Sequence, residues 1–190
     1  MKLLKNTISI IALSLIFTTN LVAQKGKKID VKKSKIEWIG KKIMSSHNGT
    51  IDFSEGSLVF SGNQLIGGNF VVNMNTINTT DLTGKMKEKL DMHLKSTDFF
   101  DTKDFPTATL EFTSIEQTDD LDIYLVTANL TIKDISYPTV FELKLNKIGA
   151  STKVVINRTL YDIKYASTGI GALADKAISD DFELNVALVY

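Results

Sequence analysis

The segment YLVTANLTI, residues 124–132, alternates apolar and mostly polar side chains. Its recurring apolar positions are Tyr124, Val126, Ala128, Leu130 and Ile132. Because successive side chains of a strand point to opposite faces, this period of two predicts a β-strand. One dry face and one hydrated face are typical of an antiparallel sheet.

The same period recurs on both sides of this segment, and turn-forming residues separate the repeats. The other alternating segments include residues 36–38, 51–53, 58–60, 70–74, 110–112, 141–145, 154–160 and 182–190. Ser61-Gly62-Asn63, Asp119-Asp120 and Tyr137-Pro138 are predicted turns. The spacing indicates about eight strands, which is typical of an all-β sandwich or barrel.

One segment has a helical period instead. Met86, Leu90 and Leu94 recur every four residues between Gly84 and Lys95, which predicts a short helical insertion over about 84–95. No long helix is available to cover an open sheet, so an eight-stranded antiparallel barrel is favoured over a sandwich. A barrel of this size is either filled by its own side chains or holds one small ligand.

The N-terminus has the pattern of a signal peptide. Lys2 and Lys5 precede an apolar run, Ile8 to Phe17, and a small residue, Ala23, ends the segment. This run is shorter than the roughly 20 residues that span a bilayer. We predict a signal peptide over 1–23 and an exposed, flexible leader over 24–34; an uncleaved N-terminal anchor is the alternative. One barrel domain over 35–190 would follow.

Composition excludes several classes of function. Without residues 1–23 the chain has 20 basic and 22 acidic residues, so it has no general attraction to nucleic acid or anionic membranes. The absence of cysteine excludes disulfides, thiol nucleophiles and thiolate metal sites. We therefore predict no metal, no cofactor, no nucleic-acid partner and no stable membrane insertion. The oligomeric state is open, a homodimer included.

Several motifs resemble the YceI-like family of periplasmic polyisoprenoid-binding proteins, which have a lipocalin-like barrel. They are DMHLKSTDFFDTKDFPTATLEFTS (91–114), HNGTIDFSEGSLVF (47–60), LVTANLTIKDISYPTVFELKL (125–145), INRTLYDIKY (156–165) and ISDDFELNVALV (178–189). The family usually has glycine where Asp134 stands, and this chain has a single arginine. The resemblance implies a barrel whose lumen takes a long isoprenoid or other lipid chain.

The function that the resemblance implies is that of a periplasmic or secreted lipid carrier without enzymatic activity. The ligand would contact inward side chains and the segment around Phe99 and Phe100, which we expect to fold over the barrel mouth because two exposed phenylalanines are unfavourable in water. The predicted contacts are Trp38, Phe53, Phe60, Phe70, Val72, Met74, His93, Phe99, Phe100, Leu110, Phe112, Tyr124, Val126, Phe141, Leu143, Ile156, Arg158, Phe182 and Leu184.

Two polar residues leave alternatives open. His93 would bond to the adjacent acidic turn, contact the ligand or join Asp91, Asp98 and Asp101 at a metal. Arg158 falls among inward positions, so it would bind a ligand anion, form a structural ion pair or reach water at the rim.

Two other functions compete with the carrier. One is an enzyme that uses His93 and a nearby aspartate as acid and base on a lipid-like substrate. The other is a structural barrel with a filled lumen. No residue is predicted to be catalytic on the favoured hypothesis.

Overall fold

The computed structural model describes residues 24–170 and 177–190, which form one nine-stranded antiparallel sheet and one α-helix. The strands are β1 (Gln24–Lys28), β2 (Lys35–Lys42), β3 (Ser46–Ser61), β4 (Gln64–Thr79), β5 (Thr107–Gln117), β6 (Ile123–Ile132), β7 (Ile135–Asn146), β8 (Gly149–Asn157) and β9 (Ile178–Val189). The helix α1 spans Gly84–Lys95, as predicted, between β4 and β5. No helix in these ranges is long and apolar enough to cross a membrane.

Strands β2 to β9 close into an eight-stranded barrel, which confirms the predicted fold. Each strand pairs with its sequence neighbour from β2 through β9, and β9 then pairs with β2. Closure leaves the apolar faces of all eight strands directed inward and pairs the edges. The segment that predicted this arrangement is β6, whose Tyr124, Val126, Ala128, Leu130 and Ile132 are all at most 8% exposed.

The remaining strand, β1, differs from the predicted leader. Gln24–Lys28 pairs with Ser57–Ser61 of β3, on the edge that β2 leaves free beyond Ile51. Its side chains are largely exposed, which explains why its sequence has no apolar period. Backbone hydrogen bonds to an otherwise unpaired edge therefore determine this strand.

The predicted turn at Tyr137-Pro138 was wrong. Tyr137-Pro138 lies within β7, and the β6–β7 turn consists of Lys133 and Asp134, whose φ angles are +52° and +59°. Strand β7 pairs with β8 only over residues 143–146, so Pro138 lies where one edge of β7 is unpaired and a missing N–H is tolerated. Positive φ angles at both turn residues are typical of the two-residue hairpin turn that connects antiparallel strands.

Strand β8 also ends earlier than predicted, at Asn157, because the Asn157 side chain accepts the N–H of Thr159 and starts a 3₁₀ helix, Arg158–Tyr161. The predicted signal peptide, residues 1–23, lies outside the described residues.

The two ends of the barrel interior are packed differently. At the end away from α1, several apolar side chains are almost inaccessible: Leu58, Leu65, Val126 and Leu143 are 0–2% exposed. We call this end the filled half. The end next to α1 encloses a cavity, and we call it the hollow half.

Candidate functional site

The hollow half contains an apolar cavity of about 490 Å³. Side chains from seven of the eight barrel strands form its wall: Ile36, Trp38, Ile51, Val72, Met74, Ile77, Ala108, Leu130, Ile132, Ile156, Ile178, Phe182 and Leu184. A volume of this size is within the roughly 300–1,000 Å³ of small-molecule sites. The cavity is therefore large enough to receive a hydrocarbon chain, and its wall is apolar enough to bind one.

Helix α1 and the segment after it cover the cavity. Leu90 and Leu94, from the predicted apolar stripe of the helix, face the cavity together with Met86. The Asp91 carboxylate accepts the backbone N–H of Thr79 at 2.8 Å, which fixes the helix to the end of β4. Burial tends to raise the pKa of Asp91, but its bonds to Lys87 and Thr79 outweigh this effect and hold the pKa below its usual value. The helix is thus anchored by an ionised carboxylate.

Residues 96–106 form a compact turn with its own backbone hydrogen bonds. The N–H groups of Asp101 and Phe105 donate to the carbonyls of Ser96 and Asp101 at 2.9 Å. The carbonyl of Pro106 accepts the N–H of Met74 at 2.9 Å, which joins the turn to β4. Because these bonds fix the backbone, the two central phenylalanines are held in place over the barrel.

Phe99 and Phe100 both face the cavity from this turn. Phe99 is 7% exposed, and its ring centroid lies 5.4 Å from His93 and 6.4 Å from Tyr165. The Phe100 ring meets Phe182 of β9 edge-on at 6.3 Å. These contacts join the turn to the barrel wall, and the position of the two rings agrees with the expectation that the segment folds over the mouth.

Two buried N atoms in the cavity wall have no hydrogen-bond partner among the described residues. They are Nε2 of His93 and Nε1 of Trp38. The His93 ring packs edge-on against Phe99 and Tyr165, and no carboxylate bonds to it in the described ranges. Unsatisfied buried polar atoms are uncommon in proteins, so the two nitrogens are available to a polar group of a ligand.

Trp38 owes its position to a glycine. The indole lies against Gly49 of β3, where a Cβ would approach the ring to 2.6 Å and the carbonyl oxygen of Asn78 to 2.1 Å. Any larger residue at position 49 would displace the indole from the cavity wall.

Arg158 combines a place in the cavity wall with a structural role. It is 2% exposed, and its Nε, Nη1 and Nη2 donate to the carbonyls of Ser179, Ile163 and Ile178 at 2.9, 2.7 and 3.1 Å. Its Nη2 also lies 3.6 Å from Oδ1 of Asp180. Burial lowers the pKa of Arg158, and the Asp180 charge partly offsets this.

The rim of the cavity is polar. Lys41, Lys42 and Lys89 lie there with His47 and Asp181. His47 Nδ1 is 2.8 Å from Oδ2 of Asp81. Burial tends to raise the pKa of Asp81, but the bonds from His47 and from the N–H of Asn48 hold it below its usual value. No group of three or more metal-ligating side chains is found in residues 24–170 and 177–190.

The structure divides the predicted contact residues between the two halves. Ten line the cavity: Trp38, Val72, Met74, His93, Phe99, Phe100, Ile156, Arg158, Phe182 and Leu184. Nine do not: Phe53, Phe60, Phe70, Leu110, Phe112, Tyr124, Val126, Phe141 and Leu143. Sequence reasoning identified the inward faces but had no signal for where along the lumen the space lies.

Several cavity residues were absent from the predicted set. Seven of them lie on predicted apolar faces, which could have identified them: Ile36, Ile51, Met86, Leu90, Leu94, Leu130 and Ile132. Tyr165 lies on no predicted apolar face, because it follows the strand–turn segment in which no period is visible.

Comparisons with known proteins agree on the fold and the family. Residues 28–190 match the model of the YceI-like domain. Protein YceI of Escherichia coli is 42% identical over 71 residues, which are 37% of this chain and only 35% of the relative's length. BcnA of Burkholderia cenocepacia, at 20% identity, has a TM-score of 0.68 over 85% of this chain and 99% of its own.

A second solved structure is that of a polyisoprenoid binding domain from Saccharophagus degradans. It is 15% identical, with a TM-score of 0.56 over 88% of this chain and 97% of its own. At such identities, the likeness concerns the barrel fold. The match of the family model over residues 28–190, together with the barrel, shows that the chain belongs to the YceI-like family.

Proposed function

We propose that this protein is a non-enzymatic lipid-binding protein of the periplasm or cell exterior, which carries or sequesters an apolar chain in the hollow half of its barrel. The observation that carries the proposal is the covered apolar cavity of about 490 Å³. The structural neighbour described as a polyisoprenoid binding domain supports a lipid as the ligand class. The predicted signal peptide supports the location.

Apolar burial supplies the binding energy in this proposal. Each buried CH₂ contributes about 0.8 kcal/mol, so about 13 or more enclosed carbons are needed to offset an association cost on the order of 10 kcal/mol. The wall residues Leu130, Ile132 and Ile156 are apolar throughout, which gives affinity without chemical selectivity. Selectivity among ligands is then determined by the few polar atoms in the cavity wall.

The polar end of the ligand lies near α1 in this proposal. His93 Nε2 and Trp38 Nε1 provide the unpaired hydrogen-bonding atoms there. Arg158 already donates to three carbonyls, so a ligand phosphate or carboxylate would have to compete with its structural bonds. We therefore favour a neutral hydroxyl, carbonyl or amide as the polar group.

The enzyme hypothesis is less well supported. An acid–base pair requires a carboxylate within hydrogen-bond reach of His93. The nearest aspartate in sequence, Asp91, instead bonds to Thr79 and Lys87.

Two neighbouring residues on β8 provide the test of the proposed function. Ile156 lines the cavity, whereas Val155 is 56% exposed on the outer face. Ile156→Trp would fill part of the cavity and should weaken the binding of a fluorescent fatty-acid probe at least tenfold. Val155→Trp is the matched control and should bind the probe like the unmodified protein.

Native mass spectrometry of the protein expressed in bacteria gives a second readout. A co-purified lipid that is lost in Ile156→Trp and kept in Val155→Trp supports the proposal. Absence of any bound species together with no uptake of the probe would favour the filled structural barrel. His93→Ala should change affinity by less than about tenfold, since one hydrogen bond contributes roughly 0.5–1.5 kcal/mol.

A further inference from the structure

Four phenylalanine rings cross the barrel interior below the cavity. Phe53 of β3, Phe70 of β4, Phe112 of β5 and Phe141 of β7 are in sequential contact, with centroid separations of 5.9, 5.8 and 6.0 Å. We call these four residues the phenylalanine row. None of them lines the cavity, although all four point into the lumen of the barrel.

Two glycines fix the position of this row. A Cβ at Gly56 would come within 2.4 Å of the Phe70 ring, and a Cβ at Gly68 within 2.6 Å of the Phe112 ring. Each ring is therefore seated in space that only glycine leaves free. Because close-packed side chains move only at a cost in free energy, the four rings form a fixed floor of the cavity.

On β4 and β3 the cavity ends directly at the row. On β4, Val72 lines the cavity and Phe70, the inward residue before it, does not. On β3 the same change occurs between Ile51 and Phe53. Beyond the row, Leu58, Val126 and Leu143 are 0–1% exposed, so the filled half offers no passage for a longer chain.

This floor limits the length of chain that the barrel can enclose. If each carbon with its hydrogens takes about 30 Å³, similar to a water molecule in the liquid, the cavity of about 490 Å³ holds roughly 16 carbons. We propose that the phenylalanine row sets the length limit of the site, which encloses roughly 16 carbons of an apolar chain and leaves the remainder of a longer polyisoprenoid outside. This inference rests on the proposed function.

The test uses prenyl alcohols, which keep the head group constant while the chain lengthens. Geraniol, farnesol, geranylgeraniol and undecaprenol are supplied in the same detergent micelles, and the alcohol that stays with the protein after gel filtration is quantified. We expect stable retention of farnesol and geranylgeraniol, and at least tenfold less undecaprenol. Equal retention of undecaprenol and geranylgeraniol would overturn the length limit.

Two substitutions move the floor in opposite directions. Phe70→Ala removes one of the two middle rings of the row and should raise the retention of undecaprenol at least fivefold. Val72→Phe raises the floor and should reduce the retention of geranylgeraniol at least fivefold, and by more than it reduces the retention of farnesol. Circular dichroism establishes that each variant is folded. Should Phe70→Ala fail to fold, Val72→Phe decides alone, and an unchanged length profile there would contradict the proposal.

The outcomes separate this inference from the function on which it rests. If the unmodified protein retains none of the four alcohols and no fluorescent lipid, lipid binding itself fails. If it retains all four to the same extent, lipid binding stands and the role of the row fails.

Discussion

The hollow and filled halves of this barrel are built from the same strands with the same alternation, yet only one of them has space. On β6, Leu130 and Ile132 line the cavity, whereas Tyr124 and Val126 belong to the close-packed end. The difference lies across the lumen: four phenylalanine rings meet in one half, whereas α1 and residues 96–106 lie over the other half as a cover. Inward alternation therefore determines which side chains are buried, and ring size and cover determine whether a cavity remains.

Removal of the cation at the border of the hollow half should have the largest effect on stability. Arg158→Met leaves the carbonyls of Ser179, Ile163 and Ile178 without their donors and Asp180 without its counter-charge. We expect a loss of about 3–5 kcal/mol in the free energy of unfolding, measured by urea denaturation.

The conservative variant Arg158→Lys distinguishes a structural role from ligand binding. Lysine keeps the charge but lacks the planar fork that serves three carbonyls. Stability should therefore fall in this variant also. Unchanged stability with lost lipid affinity would instead assign Arg158 to the ligand.

Truncation of one leucine in each half compares their packing directly. Leu143 is 1% exposed in the filled half, and Leu130 is 8% exposed beside the cavity. Leu143→Ala should cost about 2–5 kcal/mol, and Leu130→Ala no more than about 2 kcal/mol, because one side of Leu130 already lacks partner atoms. Urea denaturation of both variants without ligand measures the difference. Equal losses would mean that the two halves are packed alike.

Enlargement of one alanine in each half makes the opposite comparison. Ala128 is 0% exposed in the close-packed interior, and Ala108 lines the cavity. Ala128→Leu should destabilise the barrel by about 1–3 kcal/mol through overpacking. Ala108→Leu should change stability by less than about 1 kcal/mol, because the added atoms enter existing space. Thermal unfolding of the two variants tests this, and the reverse order would refute the assignment of the two halves.

The smallest expected effect concerns the outer face, which both halves share. Glu183 of β9 bonds to Lys41 of β2 and at 2.6 Å to Lys153 of β8. The Lys153 and Lys41 ammonium groups lower the pKa of Glu183 from 4.5 to about 2. The contribution of this carboxylate to stability is therefore complete above its ordinary pKa and is lost as the pH falls toward 2.

Glu183→Gln should remove this part of the acid dependence. We expect the melting temperatures of the variant and the unmodified protein to differ at pH 7 and to converge as the pH is lowered from 4.5 toward 2. A constant difference over this range would show that the ion pairs do not contribute.

The sequence predicted the strand pattern because a period of two is a local property of each segment. The alternation of residues 124–132 and its repeats along the chain predicted the strands, and the stripe of Met86, Leu90 and Leu94 predicted the helix. The seating of Phe70 on Gly56 was not predictable in this way. It depends on the register between β3 and β4, which shifts at three places, and neither residue alone indicates the contact.

Arg158 shows a second limit of sequence reasoning. It was assigned to a strand because Val154 and Ile156 alternate, but the Asn157 side chain ends the strand and directs the guanidinium to main-chain carbonyls. Every residue has a backbone carbonyl, so the amino-acid sequence does not indicate which carbonyls accept these hydrogen bonds. The sequence therefore predicted that Arg158 lies among inward positions, but it did not predict which groups accept its hydrogen bonds.

The position of β1 has a practical consequence. Gln24 pairs with Ser61, and Tyr190 packs against Phe60 with Lys27 over its ring, so Gln24 and Tyr190 both lie at the end of the filled half. The opening near His47 and Asp181 is at the other end. If the protein is attached to a surface beside Tyr190, the cavity entrance should therefore face away from that surface, toward the surrounding solution.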